Sequence, residues 1–180
     1  DCGMSNKQAL REFQARLAQR LQAASSSGTV ASWLAVEAGP HKLLLPLTHA
    51  GEIFSWADVQ SVPYVRPWFL GVVNLRGGLF GLMDVVSFLD DSAHHRPRSE
   101  MDLTHCRLVT LNPLLETNCA LLVDRLVGLR TADDFASSHK ATDEGRPYFG
   151  HVYVGTDGQQ WQEINLQALS QHQAFLGIGA

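Results

Sequence analysis

His94, His95, His105 and Cys106 lie close together along the chain, and imidazole and thiolate are ligands that zinc accepts. A structural zinc site normally shows paired spacing such as C-x-x-C, which is absent here, and adjacent histidines on a strand point to opposite faces. They are expected to be solvated loop histidines, with no metal bound. Two acids interrupt or end apolar runs, Asp84 in "LMDVV" and Asp124 in "LLVDRL". As a pair they could serve acid–base hydrolysis. Alternatively, each braces a turn or holds a defined partner, because a buried carboxylate is costly unless it is hydrogen-bonded. Cys106 and Cys119 open apolar runs, where a free thiol behaves as a small hydrophobe. The sequence has no G-x-S-x-G elbow, no G-x-x-x-x-G-K-[ST] loop and no H-E-x-x-H helix. No enzyme activity and no cofactor are therefore expected; the alternative is a metal-dependent hydrolase using the loop histidines.

Trp33, Trp56, Trp68 and Trp161 could form a stacking platform, but basic residues are too thinly spread to accompany one. They are expected to anchor a core or an interface. In "PYVRPWFLG", two prolines stiffen the chain around Trp68 and Phe69. The remaining motif is "NLRGG". A hairpin with Gly-Gly in its turn places Arg76 at the tip, as a guanidinium fork for a carboxylate or for backbone carbonyls. The alternative is an arginine that braces its own loop.

The elements that must position these residues are mostly short strands. Ser5 and Gln8 have capping-box spacing, and Leu10, Phe13, Leu17 and Leu21 recur every three or four residues, which predicts an amphipathic helix over residues 5–25. "SSSG" ends it. From Thr29 onward, short β-type runs alternate with turn residues: Gly39-Pro40, Gly77-Gly78, Asn112-Pro113 and Asp157-Gly158. Short helical pieces are expected at Val85 to Leu89 and at Asn165 to Gln171. Asp90 to His105 and Ala132 to Pro147 are polar and aperiodic and are expected to be long loops, separating groups of strands that could form two similar barrels. Crossover helices of the length a parallel sheet requires are missing, and closure into small antiparallel barrels removes exposed edges.

The chain has 180 residues, 45% of them hydrophobic and only 18% charged, with a net charge of −4. That excludes the basic footprint of a nucleic-acid binder and gives no run of the ~20 apolar residues that a membrane span needs. Three widely spaced cysteines suit a reducing compartment, and a cytoplasmic location is expected.

In order along the chain, "LLLPLTHAGEIF", "VPYVRPWFLGVVNLRGGLFGLMD" and "CALLVDRLVGL" resemble the CheW-like family of chemosensory coupling proteins. The leading "NKQALREFQARLAQRLQAA" and the closing "NLQALSQHQAFLGIG" look like its PilI branch, which serves twitching motility on type IV pili. The resemblance implies a mostly β domain over 29–180, built of two fused five-stranded SH3-like antiparallel barrels, and no catalysis. It implies an adaptor that joins the regulatory domain of a CheA-like histidine kinase to the cytoplasmic tip of a methyl-accepting chemoreceptor. The protein would be cytoplasmic, recruited to membrane-associated arrays, with no direct membrane insertion. Asn74, Leu75, Arg76 and Gly77 match the family's partner-binding motif, and Glu52 and Ile53 match its acidic-apolar pair. Trp68 and Phe69 would add burial, and Asp84 and Asp124 match structural acids. Gly81 stands where the family usually has proline, which implies a more flexible strand. The Asp90 to His105 loop is longer than a minimal coupling protein needs. The capping box and the closing helical segment fit a stand-alone protein; the alternative is the regulatory module of a larger kinase.

Overall fold

The computed structural model describes Gln8 and residues 11–16, 31–91, 96–142 and 145–172. Gln8 and residues 11–16 are helical and exposed, Phe13 included. Ser5, Leu10, Leu17 and Leu21 of the expected helix lie outside the described residues.

Strands β1 (Ala31–Ala38) and β2 (His41–Pro46) form a hairpin about Gly39. The chain then crosses to β3 (Ala50–Ser55) and β4 (Val59–Gln60), followed by the hairpin of β5 (Phe69–Leu75) and β6 (Gly78–Asp84). Two short helices follow, α1 (Val85–Leu89) and α2 (Glu100–His105), then β7 (Arg107–Leu111) and β8 (Cys119–Val123). Strand β9 (Arg125–Thr131) returns to β1 and continues into β10 (Phe135–Lys140), β11 (Phe149–Gly155), β12 (Gln160–Ile164) and α3 (Leu166–Gln171).

Two six-stranded sheets result, ordered β10-β11-β12-β2-β1-β9 and β3-β7-β8-β6-β5-β4. The two outer strands of each sheet are consecutive in the chain, β9 with β10 and β3 with β4. If each such pair is taken as one bent strand, the expected five-stranded barrel appears twice, its two edges supplied by the two arms of the bend. Three expectations change. Each barrel contains one parallel pair, β12 with β2 and β6 with β8, among the antiparallel ones. The middle barrel is inserted into the outer one, so the polar stretches do not divide the chain into two groups of strands. Finally, Ala132 to Pro147 is not all loop: a 3-10 turn capped by Asp134 leads into β10, whose side chains are mostly exposed and therefore show no apolar alternation.

Side-chain alternation assigns the core. Trp33, Ala35 and Leu44 point into the outer barrel with Trp161, while Leu34, Val36, Leu43 and Leu45 face the middle barrel. On the other side, Leu82, Leu108, Ala120 and Leu122 fill the middle barrel, and Met83, Val109, Leu121 and Val123 face outward into the core shared by both. Strand β8 is buried on both faces, which explains why "CALLV" is apolar without alternation. Cys119 sits in the shared core, where burial pushes its thiol up to about 12. Burial raises the Cys106 thiol as well, and both cysteines pack as hydrophobes.

Candidate partner-binding surface

The β5–β6 hairpin pairs Leu75 with Gly78, so its two turn residues are Arg76 and Gly77 and not the glycine pair. Both have positive φ, 53° and 79°, the backbone of a type I′ turn. Gly77 N–H donates to Asn74 Oδ1 at 3.0 Å, which fixes the turn from within. A left-handed arginine costs about 1–2 kcal/mol relative to glycine. Its side chain gains little stability in return: Arg76 Nη1 meets Glu52 Oε2 at 2.9 Å, but the two side chains are 76% and 56% exposed. An ion pair that exposed contributes about 0–1 kcal/mol. The guanidinium also lies 5.7 Å from the centre of the Phe54 ring.

Glu52 is aimed at the turn by its strand. The register of β3 on β7 shifts between Ala50 and Ile53, and Glu52 N–H leaves the ladder to donate to Thr110 Oγ1 at 2.8 Å. Ile53 and Leu79 are exposed apolar residues, Ile53 next to Glu52 in β3 and Leu79 opposite Asn74 in the hairpin. The structure thus brings Asn74, Arg76, Gly77 and Glu52 to one exposed region, although Glu52 and Arg76 come from separate strands; Ile53 is exposed too, but it pairs with Val109, on the strand face opposite to the Phe54 ring that Arg76 lies over.

Three more expected contact residues do not belong to it. Trp68 and Phe69 are only 6% and 8% exposed, and Trp68 packs edge-on against Phe88 at 5.1 Å in the shared core. Leu75 points into the middle barrel. The alternation that exposes Asn74 and the turn necessarily turns Leu75 inward. Leu79, which the sequence reading missed, carries the signal of an apolar residue one position beyond a glycine turn.

Gly81 also departs from expectation. A Cβ there would stand 2.8 Å from Phe69 Cε2, and Gly81 N–H donates to Asn118 O at 3.0 Å. Proline could make neither arrangement. The glycine is a packing site for the Phe69 ring, within a paired strand.

The two acids have partners, and the main one lies in the supposed loop. Arg98, whose side chain is 6% exposed, donates from Nη1 to Asp84 Oδ2 at 2.8 Å and from Nη2 to Asp84 Oδ1 at 3.0 Å. The same guanidinium reaches Asp124 Oδ1 through Nε at 3.2 Å and Nη2 at 2.9 Å. Asp84 also accepts from Ser87 Oγ at 3.2 Å, and Asp124 from Arg96 Nη1 at 2.9 Å and from Gly39 N–H. Gly39 belongs to the outer barrel's β1–β2 turn, so Asp124 ties the two barrels together. Burial pushes the Asp124 carboxyl up, but the bonds from Arg96, Gly39 and Arg98 outweigh it and hold the group below its ordinary value. Burial likewise opposes the Arg98 charge, and the two carboxylates more than restore it. Asp84 and Asp124 are saturated structural acids, not a hydrolytic pair. After Arg98, Ser99 and Asp102 form a capping box that opens α2, so Asp90 to His105 is not all loop. Among the described residues, no three His, Cys, Asp or Glu side chains stand together as a metal site; His94 and His95 lie outside them.

Two fused barrels, a strained cationic turn held out to solvent and internally neutralised acids define a protein-interaction module. Residues 32–174 match the CheW-like domain, and the chain belongs to that family. Its members are scaffolds and adaptors, not enzymes, which replaces the hydrolase alternative. The chain is 27% identical over 165 residues to Protein PilI of Pseudomonas aeruginosa strain PAO1, covering 91% of this chain and 88% of that one, in keeping with the PilI branch. Its fold is similar to the crystal structure of scaffolding protein TtCheW from Thermoanaerobacter tengcongensis, with a TM-score of 0.61 and 14% identity over 79% of this chain and 93% of the other. Among the described residues, no helix is long and apolar enough to cross a membrane.

Proposed function

We propose that this chain is the adaptor of a chemosensory array that controls type IV pilus twitching motility. It couples methyl-accepting chemoreceptors to the regulatory domain of a CheA-like histidine kinase, from the cytoplasmic side and without entering the membrane. The observation that carries this reading is Arg76: an exposed guanidinium in a left-handed turn that glycine or asparagine would hold at lower cost. Asn74 and Gly77 shape the turn, while Glu52 supplies an opposite charge beside it and Ile53 an apolar contact on the opposite face of the strand. A partner carboxylate or a set of carbonyls competes with Glu52 for the guanidinium, and a partner cation can take Glu52 in exchange. Transmission is by geometry: the adaptor holds receptor and kinase in one arrangement, and receptor conformation biases the kinase between states.

Deleting the gene from its bacterium and restoring it in wild-type or Arg76→Glu form tests this. The wild-type gene is expected to restore twitching zones and the variant to leave them small at equal protein level. Normal twitching in the deletion strain, or full restoration by the variant, overturns the reading.

A further inference from the structure

Ahead of the CheW-like match, which begins at residue 32, the chain carries a helix that its own barrels leave uncovered. Residues 11–16 are helical and all exposed. Six consecutive helical residues look out on every side, so no face over that stretch rests on the barrels. Phe13 keeps 64% of its surface in solvent. A helix of this kind gains most of its stability from an apolar face buried on a neighbour, and here the barrels are not that neighbour.

The sequence pattern describes the occupant. At about 100° per residue, Leu10, Phe13, Leu17 and Leu21 fall on a stripe only about 80° wide. Arg16 and Arg20 border it on one side and Lys7 and Arg11 on the other, while Glu12, the one acid in residues 5–25, stands on the far side. Lys7, Leu10, Leu17, Arg20 and Leu21 lie outside the described residues and enter through their spacing alone. Among the described residues, Arg11 and Arg16 have no ion-pair partner, so their charges are not neutralised within the fold. A stripe that narrow is the seam of a two-helix pair; covering a core or lying on a bilayer takes a broader one. Cations along both borders repel a second copy of the same helix and match acids on a different one. We propose that residues 5–25 are a docking helix, separate from the Arg76 surface, which pairs with one amphipathic helix of another protein that carries Asp or Glu beside its apolar stripe.

The test titrates the full chain into fluorescent peptides made of repeated Glu-Leu-Ala-Ala-Leu-Glu-Ala, Lys-Leu-Ala-Ala-Leu-Lys-Ala or Glu-Ser-Ala-Ala-Ser-Glu-Ala heptads. The first is expected to bind saturably, with a gain in helical circular dichroism. The lysine peptide should bind about tenfold more weakly, as several exposed ion pairs allow, and the serine peptide should not bind. Phe13→Ser with Leu17→Ser should abolish binding and leave the melting temperature unchanged. Arg76→Glu should bind the first peptide as the wild type does, which separates this site from the proposed coupling surface. Absence of binding by the first peptide, equal binding of the first two, or a lower melting temperature in the double variant would overturn the proposal. So would binding to phosphatidylglycerol vesicles in place of the acidic peptide, which would make the helix a membrane contact. A concentration-dependent dimer abolished by the double variant would overturn it too, by making the occupant a second copy.

Discussion

Arg98 grips Asp84 with two parallel hydrogen bonds, at 2.8 and 3.0 Å, where Asp84 has no exposed surface. The same guanidinium then reaches Asp124, whose other oxygen holds the backbone of Gly39 in the outer barrel. One arginine thus bridges the acid at the end of β6 and the acid just beyond β8 at a junction between the barrels, with Arg96 supplying the second positive charge.

Removing it should be expensive. Arg98→Ala leaves a buried carboxylate without its partner, a change that costs about 3–5 kcal/mol. Urea unfolding should show a loss of that order. Replacing Asp84 as well, in Asp84→Leu with Arg98→Met, should recover much of it, since the charge and its partner then disappear together. A loss below about 1 kcal/mol in the single variant, the range of an exposed pair, would contradict the clasp.

The clasp also sets a pH dependence. The folded Asp124 carboxyl lies below its unfolded value of about 3.9, so its contribution is complete above that value and fades as pH falls through the folded one. Unfolding at acid pH takes up a proton at this position. Stability measured from pH 7 to pH 2 should therefore fall more steeply for the wild type than for Asp124→Asn, and the two curves should converge at the acid end. Parallel curves would show that Asp124 is not held ionised by its partners.

Arg76 should show the opposite sign. Arg76→Asn keeps a residue that tolerates the left-handed turn and removes the cost of arginine there, so the melting temperature should stay level or rise, by at most about 1–2 kcal/mol of stability. Binding should nevertheless fall. A large loss of stability would mean that the Glu52 pair and the Phe54 contact are what the arginine is for.

Gly81→Ala should destabilise by about 1–3 kcal/mol, because its Cβ meets the Phe69 ring at 2.8 Å. Gly81→Pro should be worse, since it also removes the donor to Asn118. Adding Phe69→Leu to the alanine variant should return part of the loss. Equal stability of wild type and Gly81→Ala, read from thermal melts, would contradict the packing role.

What the sequence disclosed depended on the range of the interaction. The turn at Arg76 and the capped helix at Leu166–Gln171 follow local rules, and both stand where their residues put them, although the turn closes one residue early. Asp84 and Asp124 announced a need for partners but could not say which: Arg98 lies fourteen residues from one and twenty-six from the other, in a stretch whose polarity looked solvated. Trp68 and Phe69 misled for a related reason. Prolines beside an aromatic pair fit a presented surface as well as a stiff approach to the core, and only the placement of Phe88 against Trp68 decides. The barrels' exchange of strands was invisible because β1 must find β9 across the whole middle barrel. The Glu52–Arg76 pair is legible only once β3 and the hairpin stand together.

The central claim is that Arg76 presents this adaptor to its partners. The most direct measurement is quantitative recovery of bound proteins from the native bacterium, comparing the wild-type chain with Arg76→Glu after circular dichroism shows both folded. A CheA-like kinase and a methyl-accepting receptor should come down with the wild type, and at least one should be selectively lost with the variant. Recovery of neither protein with the wild type, or equal recovery of both with Arg76→Glu, would contradict it.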